Sequence, residues 1–454
     1  MPDLASIVKA YDIRGTVPDQ FDAAAAAALG TGFADLVRAE GATKIAVAHD
    51  MRDTGPELAR AFAEAATRAG LDVVLAGLCS TDELYYVSGI LDIPGAMFTA
   101  SHNPARYNGI KTCLAGARPI SLDTGLAAMR DRAQAILDQR EEPTTADVPG
   151  TITERDFLTD YAAHLRTLVD LSGIRPLTVA VDAGNGMGGH TVPTVFEGLP
   201  VTVVPMYFEL DGTFPNHEAN PLEPANLVDL QKKVVEAGAD IGLAFDGDAD
   251  RCFVIDENGD PVSPSAITAL VATRELARDP GATIIYNLIT SRAVPEIVAE
   301  NGGTAVRSRV GHSFIKAEMA RTNAIFGGEH SAHYYFRDFW FADTGMLAAM
   351  HTLAALGQSD RPLSELARAY ERYVASGEIN STVTDAAAKQ DQVAAHFATE
   401  ELDRLDGLTV TFADGAWLNL RASNTEPLLR LNVEAPTPER MEGLRDEVLA
   451  IVRG

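Results

Sequence analysis

The feature that most constrains the fold is a recurrence in which a short apolar segment runs directly into a polar loop. Such segments end at Phe98, Phe245 and Phe326, and the loops that follow read TASHNP, DGDADR and GGEHSAH. In open α/β sheets, ligands bind beyond the carboxyl ends of the strands. Because the spacings between the three points are unequal, the recurrence is weak evidence for a tandem repeat. It indicates instead three similar α/β modules, each offering one functional loop.

Short apolar runs rich in β-forming residues alternate with longer helical patterns, which is typical of α/β layers. The predicted strands lie at 44–50, 71–77, 95–98, 177–184, 201–208, 241–245, 283–289, 304–310 and 323–326. After Glu378, apolar and polar residues alternate around turns over 408–435, as they do in antiparallel strands, and a final helix closes the chain. The fold class we predict is α/β, with three similar α/β domains and a smaller C-terminal α+β domain.

A chain of 454 residues is too long for one hydrophobic core. Polar segments near 141–149, 256–262 and 356–361 are the predicted linkers. The predicted domains are therefore 1–148 with the TASHNP loop, 149–256 with DGDADR, 257–366 with GGEHSAH, and 367–454.

The composition restricts the classes of partner. Lys and Arg together number 37 and Asp and Glu 64, so the formal net charge is −27. Such a field repels nucleic acid and anionic membrane surfaces, and no uninterrupted apolar stretch is long enough to span a bilayer. We therefore expect neither nucleic acid nor a membrane as a partner. An anionic substrate would require basic side chains concentrated locally in its site.

The cysteines and the first residues indicate the cellular compartment. Cys79, Cys113 and Cys252 are widely spaced in apolar surroundings, which predicts reduced core residues rather than a disulfide framework or a zinc site. The first residues lack the basic region followed by an apolar region that marks a secretory signal. We expect a cytoplasmic protein that is a monomer or a weak homodimer.

The loop DGDADR places Asp246, Asp248 and Asp250 at alternate positions directly after an apolar strand. Three carboxylates on one turn suit a hard cation such as Mg²⁺ or Ca²⁺. An EF-hand is disfavoured because Arg251 stands where its loop needs glycine and strands flank the segment. A solvated acidic turn is the other alternative, but three mutually repelling carboxylates are costly without a cation.

Two other loops allow more than one interpretation. In AGNGMGG, Gly184, Gly186 and Gly189 match a dinucleotide-binding fingerprint, although a tight turn from strand to helix explains the same glycines. GGEHSAH carries two histidines, but the zinc motif H-E-x-x-H is absent. Glycines followed by hydrogen-bonding side chains suit a loop that grips hydroxyl groups, and a purely structural turn is the alternative.

The segment RASNTEPLLR answers the need for local basic residues, because two arginines stand there beside hydroxyl and amide groups. Arginine offers bidentate donors for phosphate, and the loop amides add further donors. Two other local concentrations are RSRVGH, with Arg307, Arg309 and His312, and KAYDIRG, with Lys9 and Arg14. Either could be ordinary surface charge.

TASHNP itself leaves three interpretations of Ser101. Ser101 or Thr99 could cap a helix or turn before Asn-Pro. A serine hydrolase is disfavoured because the elbow G-x-S-x-G is absent. Opposite a cation held by the three aspartates, the Ser101 hydroxyl could carry a phosphoryl group.

The motifs TASHNPARYNGIK, DGDADR, GGEHSAH and RASNTEPLLR occur in this order, one to each predicted domain. Together they resemble the α-D-phosphohexomutase family, and within it the bacterial phosphomannomutases and phosphomannomutase/phosphoglucomutases. KAYDIRG and DGTFPNHEANPLEP are also similar to that family, and the resemblance covers the whole chain. It implies four domains around a central cleft, each contributing one loop.

The resemblance implies a role for each loop. Ser101 would be the phosphoserine that gives its phosphoryl group to the sugar and later takes one back, and its phosphate would bind Mg²⁺ together with Asp246, Asp248 and Asp250. The residues implied at the reacting end are Arg14, His102, Lys111 and Arg251, with His333 and His312 as candidates for proton transfer or substrate contact. Those implied to grip sugar hydroxyls are Glu329 and Ser331, and those implied to hold the phosphate that is not reacting are Arg421, Ser423, Asn424, Thr425 and Arg430.

The implied reaction converts mannose 6-phosphate and mannose 1-phosphate into each other through hexose 1,6-bisphosphate, which also acts as activator, and glucose phosphates are candidate further substrates. The alternatives are a phosphoglucomutase or phosphoglucosamine mutase of the same family, a metal-dependent sugar phosphatase, and a non-catalytic phosphosugar-binding protein. One segment departs from the family. YNLITSR contains Ile289 and Arg292 but no lysine, where some dual-specificity members carry one.

Overall fold

The computed structural model describes residues 2–423 and 428–454 of the chain. The chain divides into two compact units, Met1–Val262 with Ser331–Ser364 and Ser263–His330 with Glu365–Gly454. Among the described residues, we find no helix with the length and apolar character that crossing a bilayer requires. All three cysteines are buried and none of them is in a disulfide, as their apolar surroundings predicted.

The N-terminal part of the first unit is a seven-stranded mixed sheet with helices packed on it. Six of its strands run in the order β1-β5-β4-β2-β3-β7, and β6 pairs with β5; β2 is parallel to β3 and β4, and β4 is antiparallel to β5. The elements are α1 (Leu4–Ile7), β1 (Ile13–Thr16), α2 (Ala23–Ala39), β2 (Lys44–His49), α3 (Gly55–Arg68), β3 (Asp72–Leu78), α4 (Thr81–Leu91), β4 (Gly95–Phe98), β5 (Tyr107–Leu114), β6 (Arg118–Pro119), α5 (Leu126–Leu137) and β7 (Ile152–Glu154).

Local sequence explains why α2 begins where it does and how it is held. Asp22 caps the alanine-rich run by accepting a hydrogen bond from the Ala25 N–H, which satisfies a donor that the first turn leaves open. Phe33 of α2 packs on Phe62 of α3 at a ring distance of 5.6 Å, and Phe62 packs on Phe98 at the end of β4 at 5.5 Å. This aromatic core fixes the strand end from which the TASHNP loop departs.

The second α/β domain, also in the first unit, contains a five-stranded sheet of order β12-β11-β10-β8-β9. Strands β8, β9 and β10 are parallel, and β11 returns antiparallel along β10. The elements are α6 (Leu158–Leu168), β8 (Leu177–Asp182), α7 (Gly188–Phe196), β9 (Val201–Met206), α8 (Val228–Ala237), β10 (Ile241–Phe245), β11 (Cys252–Asp256) and β12 (Pro261–Val262).

The third α/β segment contributes to both units. In the second unit β13 pairs in parallel with β14 and with β15, and in the first unit β16 and β17 form an antiparallel hairpin. The elements are α9 (Pro264–Arg278), β13 (Thr283–Asn287), α10 (Ala293–Glu300), β14 (Thr304–Ser308), α11 (His312–Thr322), β15 (Phe326–Gly328), β16 (Tyr334–Phe336), β17 (Ala342–Asp343) and α12 (Gly345–Gly357).

The strand predicted to end at Phe326 begins there instead. Gly327 and Gly328 continue the ladder opposite Ile285 and Tyr286. A Cβ on Gly328 would lie 2.4 Å from the hydroxyl oxygen of Thr268, so glycine permits this strand to pass close to α9. The two glycines that suggested a loop are therefore part of the sheet.

The C-terminal segment of the second unit is the predicted antiparallel domain, with a sheet of order β18-β22-β21-β20-β19. Its strands supply a separate core that includes Leu418, Leu420, Leu429 and Leu431. The elements that follow α12 in the chain are α13 (Leu363–Arg368), β18 (Val374–Thr382), α14 (Ala386–His396), β19 (Glu401–Asp403), β20 (Leu408–Thr411), β21 (Trp417–Ala422), β22 (Leu428–Ala435) and α15 (Pro438–Arg453).

Candidate active site

Ser101 is presented in a strained turn three residues after β4. Its backbone has φ 50°, in the left-handed region that few side chains adopt, and the residue is 3% exposed. Its N–H donates to the hydroxyl of Thr99 at 2.9 Å, and its own Oγ donates to Asp246 Oδ2 at 2.9 Å. The hydroxyl therefore faces the acidic loop rather than capping a helix.

The acidic loop follows β10 and buries all three carboxylates, with no more than 1% exposure of any of them. One ligand oxygen from each of Asp246, Asp248 and Asp250 lies within 4.8 Å of the others. Within the described chain, Asp248 Oδ1 and Asp250 Oδ1 accept no hydrogen bond. Buried carboxylate oxygens in such an arrangement fit a divalent cation. Flanking strands β10 and β11 exclude an EF-hand, as predicted.

Two basic side chains neutralise this loop. Lys111 of β5 places Nζ 2.6 Å from Asp248 Oδ2 and 2.5 Å from Asp250 Oδ2. Burial alone would lower the pKa of Lys111, but these two carboxylates raise it well above its ordinary value. Burial alone would raise the pKa of Asp248, but Lys111 and the Thr81 hydroxyl hold it well below its ordinary range. The pair is therefore charged.

Asp246 has a different environment from its two neighbours. Arg251 approaches Asp246 Oδ2 at 2.9 Å, and the Arg251 N–H donates to Asp246 Oδ1 at 3.1 Å. Burial raises the pKa of Asp246, the Arg251 guanidinium opposes this effect, and the charges of Asp250 and Asp248 add to the rise. Asp246 is thus the carboxylate that contacts both the serine hydroxyl and an arginine.

His102 and Arg14 complete the surroundings of Ser101. Burial, reinforced by Arg251 and Arg14, lowers the pKa of His102 well below its ordinary value. The neutral ring accepts at Nδ1 from Arg251 Nη2 at 2.7 Å, and the same nitrogen is 3.1 Å from Ser101 Oγ. Arg14 bonds to Asp12 at 2.7 Å and to the Asn103 side chain at 2.5 Å, so it ties β1 to the serine turn.

The first unit also brings part of the predicted sugar loop to the acidic loop. His333 Nε2 lies 3.8 Å from Asp250 Oδ1, and His333 pairs with Arg251 through an isolated antiparallel bridge. Ser331 Oγ is 3.1 Å from His333 Nδ1. The predicted residues that the first unit gathers are Arg14, Ser101, His102, Lys111, Asp246, Asp248, Asp250, Arg251, Ser331 and His333.

The second unit carries the other predicted residues. Glu329 is 2% exposed and its Oε2 accepts from the Asn287 side chain at 3.1 Å. Arg421 and Arg430 are opposite each other on β21 and β22, and Glu378 lies 3.6 Å from the first and 3.3 Å from the second. Ser423 follows β21, and His312 begins α11. Asn424 and Thr425 lie outside the described residues.

Four family models match successive parts of the chain. They describe phosphoglucomutase/phosphomannomutase domain I over residues 5–139, domain II over 159–259, domain III over 263–373 and the C-terminal domain over 378–451. The chain belongs to this family.

Named relatives agree with this assignment. The chain is 41% identical to a protein described as phosphohexose mutases from Xanthomonas campestris, over 98% of this chain and 99% of that one. It is 39% identical to a phosphomannomutase of Salmonella montevideo, over 94% of each chain. A solved phosphoglucomutase/phosphomannomutase family protein of Burkholderia thailandensis superposes with a TM-score of 0.90 at 32% identity, covering 100% of this chain and 98% of that one.

Membership in the phosphoglucomutase/phosphomannomutase family confirms the predicted α/β architecture and the enzyme class, an intramolecular phosphotransferase. Relatives named phosphomannomutase support phosphomannomutase activity. The roles of individual residues stay predictions.

In this member of the phosphoglucomutase/phosphomannomutase family, the segment YNLITSR, which lacks the lysine, makes its contacts within the second unit. Ile289 is 8% exposed. The side chain of Arg292 pairs with Glu296 of α10 at 3.1 Å, while its backbone N–H donates to Glu434 at 2.9 Å. Likewise Arg307 forms an ion pair with Asp403. These arginines serve contacts within the second unit.

Sequence reasoning missed residues that shape the acidic loop. Thr81, at the start of α4, donates its hydroxyl to Asp248 Oδ2 at 2.5 Å and its N–H to the Asp248 carbonyl at 3.0 Å. The glycine turn after β8 packs on the same loop, since a Cβ on Gly186 would lie 2.6 Å from the Gly247 carbonyl oxygen. A Cβ on Gly247 would lie 2.4 Å from the Ser101 carbonyl oxygen. The motif AGNGMGG is thus a tight turn that supports the acidic loop.

Proposed function

We propose that the protein is a phosphomannomutase that converts mannose 6-phosphate and mannose 1-phosphate into each other through a phosphoserine and a hexose 1,6-bisphosphate, with glucose phosphates as further substrates. The observation that carries this proposal is the hydroxyl of Ser101, held at φ 50° and bonded to Asp246 at 2.9 Å amid buried basic side chains. Phosphoryl transfer depends mainly on positioning and charge stabilisation. The environment of the Ser101 hydroxyl therefore suits a residue that carries a phosphoryl group.

Each nearby side chain has a defined task in this proposal. Lys111, Arg251 and Arg14 stabilise negative charge on the phosphoryl group as it moves between Ser101 and the sugar. Neutral His102 keeps its Nδ1 toward Arg251 and so orients that guanidinium. His333, which lies beside Asp250, takes or returns the proton of the sugar hydroxyl.

The donor set of the acidic loop fits Mg²⁺. Asp246, Asp248 and Asp250, joined by the phosphate of Ser101, would hold the ion. When bound, Mg²⁺ offsets the negative charge of the transferring phosphoryl group. The two carboxylate oxygens that accept no hydrogen bond within the described chain, on Asp248 and Asp250, support this assignment.

Residues of the sugar loop and the C-terminal domain bind the rest of the substrate. Glu329 and Ser331 bond to sugar hydroxyls and His312 contacts the substrate, while the phosphate that is not reacting is held by Arg421, Ser423, Asn424, Thr425 and Arg430. Hexose 1,6-bisphosphate acts as activator because it phosphorylates Ser101. We place the domains at 1–148, 149–256, 257–366 and 367–454, and we propose a cytoplasmic monomer or weak homodimer without nucleic-acid or membrane partners.

The test compares kcat/KM for mannose 1-phosphate, glucose 1-phosphate and glucosamine 1-phosphate on one preparation with Mg²⁺ and a hexose bisphosphate. We expect the largest value for mannose 1-phosphate, a smaller one for glucose 1-phosphate and the smallest for glucosamine 1-phosphate. Net release of inorganic phosphate at the turnover rate would instead identify a phosphatase. Binding without turnover would indicate a phosphosugar-binding protein.

A further inference from the structure

The guanidinium of Arg52 binds the backbone of the turn that carries Ser101. Arg52 follows β2, is 2% exposed, and directs its guanidinium into the segment that carries Ser101. Nη2 donates to the carbonyls of Ser101 at 2.9 Å and Asn103 at 2.6 Å. Nη1 donates to the carbonyls of Pro104 at 3.0 Å and Tyr107 at 2.8 Å. One buried side chain thus gathers carbonyls from both ends of the turn.

This arrangement acts on the residue whose backbone is strained. A non-glycine residue at positive φ persists only where its surroundings impose that conformation. The planar guanidinium fork fixes the distances and directions between the carbonyls that it binds. Because one of these carbonyls belongs to Ser101 itself, Arg52 constrains the orientation of the peptide that presents Oγ to Asp246.

Arg52 is in turn held by two neighbours. Asp50 Oδ1 accepts the Arg52 N–H at 3.0 Å, and Asp50 Oδ2 lies 3.3 Å from Nε. The ring centre of Phe214 lies 5.2 Å from the guanidinium carbon. A Cβ on Gly212 would lie 2.8 Å from the Arg52 Cα, so the loop of the second domain packs directly on this residue. The segment DGTFPNHEANPLEP therefore packs against Arg52 through Gly212 and Phe214.

We propose that Arg52 is a positioning residue that holds Ser101 in the geometry needed to accept and donate a phosphoryl group, and that Phe214 keeps its guanidinium in place. The inference rests on the proposed phosphoserine function. Lysine at this position cannot span the same carbonyls, because its single ammonium lacks the planar fork. Arg52 contacts loop backbone, Asp50 and Phe214, so its loss should lower kcat and leave KM for the sugar phosphate nearly unchanged.

The experiment measures phosphate uptake by Ser101 from glucose 1,6-bisphosphate, followed by intact-protein mass, together with steady-state kcat and KM. The variants are Arg52→Lys, Arg52→Ala and Phe214→Leu. Arg166→Lys is the matched control, since Arg166 donates to the carbonyls of Thr194 at 2.9 Å, Val195 at 3.0 Å and Glu197 at 2.8 Å, at the end of α7.

We expect Arg52→Lys to slow uptake and kcat by about 10²-fold, the size that a misplacement near 1 Å produces, and Phe214→Leu to slow both by a smaller factor. Arg166→Lys should lower the melting temperature without changing uptake. Added guanidinium should restore part of the rate of Arg52→Ala. If that variant does not fold, the lysine and leucine variants decide the question.

Two results would overturn the inference and are distinguishable. Wild-type uptake by Arg52→Lys, with a loss of stability like that of Arg166→Lys, would show a merely structural arginine and leave the phosphoserine function intact. A wild-type protein that takes no phosphate at Ser101 would remove the proposed function and the inference together.

Discussion

The two basic clusters of the protein are built in opposite ways. In the first unit, Lys111 and Arg251 contact the three aspartates of the acidic loop at 2.5–2.9 Å, and those carboxylates are at most 1% exposed. In the second unit, Arg421 and Arg430 stand on neighbouring strands and approach one carboxylate, Glu378, at 3.6 and 3.3 Å. We refer to these as the reacting cluster and the holding pair.

The difference in the closeness of these contacts indicates different tasks. In the reacting cluster, Lys111 and Arg251 bond to buried aspartates at 2.5–2.9 Å and the charge of Arg14 also acts on Asp248. Asp248 Oδ1 and Asp250 Oδ1 still accept no hydrogen bond within the described chain, which leaves them for a metal ion. In the holding pair, Arg421 and Arg430 approach the shared carboxylate of Glu378 only at 3.6 and 3.3 Å, and the charges of Asp406 and Glu329 also act on Arg421. Arginine binds phosphate through strong and often bidentate hydrogen bonds, which these longer contacts to Glu378 leave room to form. The first cluster is suited to chemistry and the second to capture.

Replacing the nucleophile should have the largest effect. Ser101→Ala removes the oxygen that carries the phosphoryl group, so we expect kcat/KM to fall by about 10³-fold or more, even with hexose bisphosphate supplied. Steady-state kinetics measures this loss. The surface substitution Ser172→Ala should keep wild-type kinetics. Near-full activity of Ser101→Ala would refute the phosphoserine assignment.

Removing a cation from the reacting cluster should come next. Lys111→Met leaves Asp248 and Asp250 without the ammonium that contacts both. We expect kcat to fall by about 10²-fold because charge on the phosphoryl group is less well offset, while Mg²⁺ binds more tightly because its competitor is gone. Titration calorimetry with Mg²⁺ measures the second effect, with exposed Lys9→Met as the control. Unchanged Mg²⁺ affinity would contradict this account of the acidic loop.

Replacing a residue of the holding pair should change KM more than kcat. Arg421→Met removes one charged hydrogen-bond donor from the phosphate that is not reacting, a loss of roughly 1.5–3 kcal/mol. We expect KM to rise about tenfold or more and kcat to change by a smaller factor. Arg440→Met, on α15, tests whether a general loss of positive charge matters. A fall in kcat with constant KM would place Arg421 in the reacting cluster instead.

Local patterns in the chain predicted β2, β3, β4, β8, β9, β10, β13 and β14 and the loops TASHNP and DGDADR, but they did not predict β1, β5, β7, β11 or β12. Ser101, the three aspartates and the arginines of β21 and β22 each follow or lie in such a strand, so their elements were predictable. The supporting contacts were not, because they join distant positions. Thr81 meets Asp248 across 167 residues, and Arg52 meets Ser101 across 49. No periodicity within one segment reports a hydrogen bond of that span.

The prediction of the bounds of strand β15 was wrong for a different reason. Its Gly327 and Gly328 carry no side chains whose alternation could mark a strand, and glycine ordinarily weakens one. Only the close approach of Thr268 on α9 explains why glycine is needed there. The error of a few residues at this boundary therefore reflects packing between elements, which a local pattern does not contain.

The smallest effect concerns the helix that supports the acidic loop. Glu83 of α4 is fully buried, and burial together with the charge of Asp82 raises its pKa to about 8. The unfolded chain ionises this carboxyl near its ordinary value of 4.5. Its contribution to stability is therefore complete below that pH, declines as pH rises toward 8, and is constant above it. Glu83→Gln removes this dependence.

Between pH 6 and 8 the free energy of unfolding should fall by about 2 kcal/mol less in Glu83→Gln than in the wild type. Thermal melts at several pH values measure the difference, with exposed Glu57→Gln controlling for the same change in net charge. Parallel loss of stability in wild type and Glu83→Gln would show that this carboxyl ionises in the folded protein over the same pH range as in the unfolded chain. A smaller pH dependence in Glu83→Gln would show that α4, which supports Asp248 through Thr81, contains a buried acid whose ionisation opposes folding. The support of the reacting cluster would then depend on pH. Substitutions in the holding pair should not change this dependence.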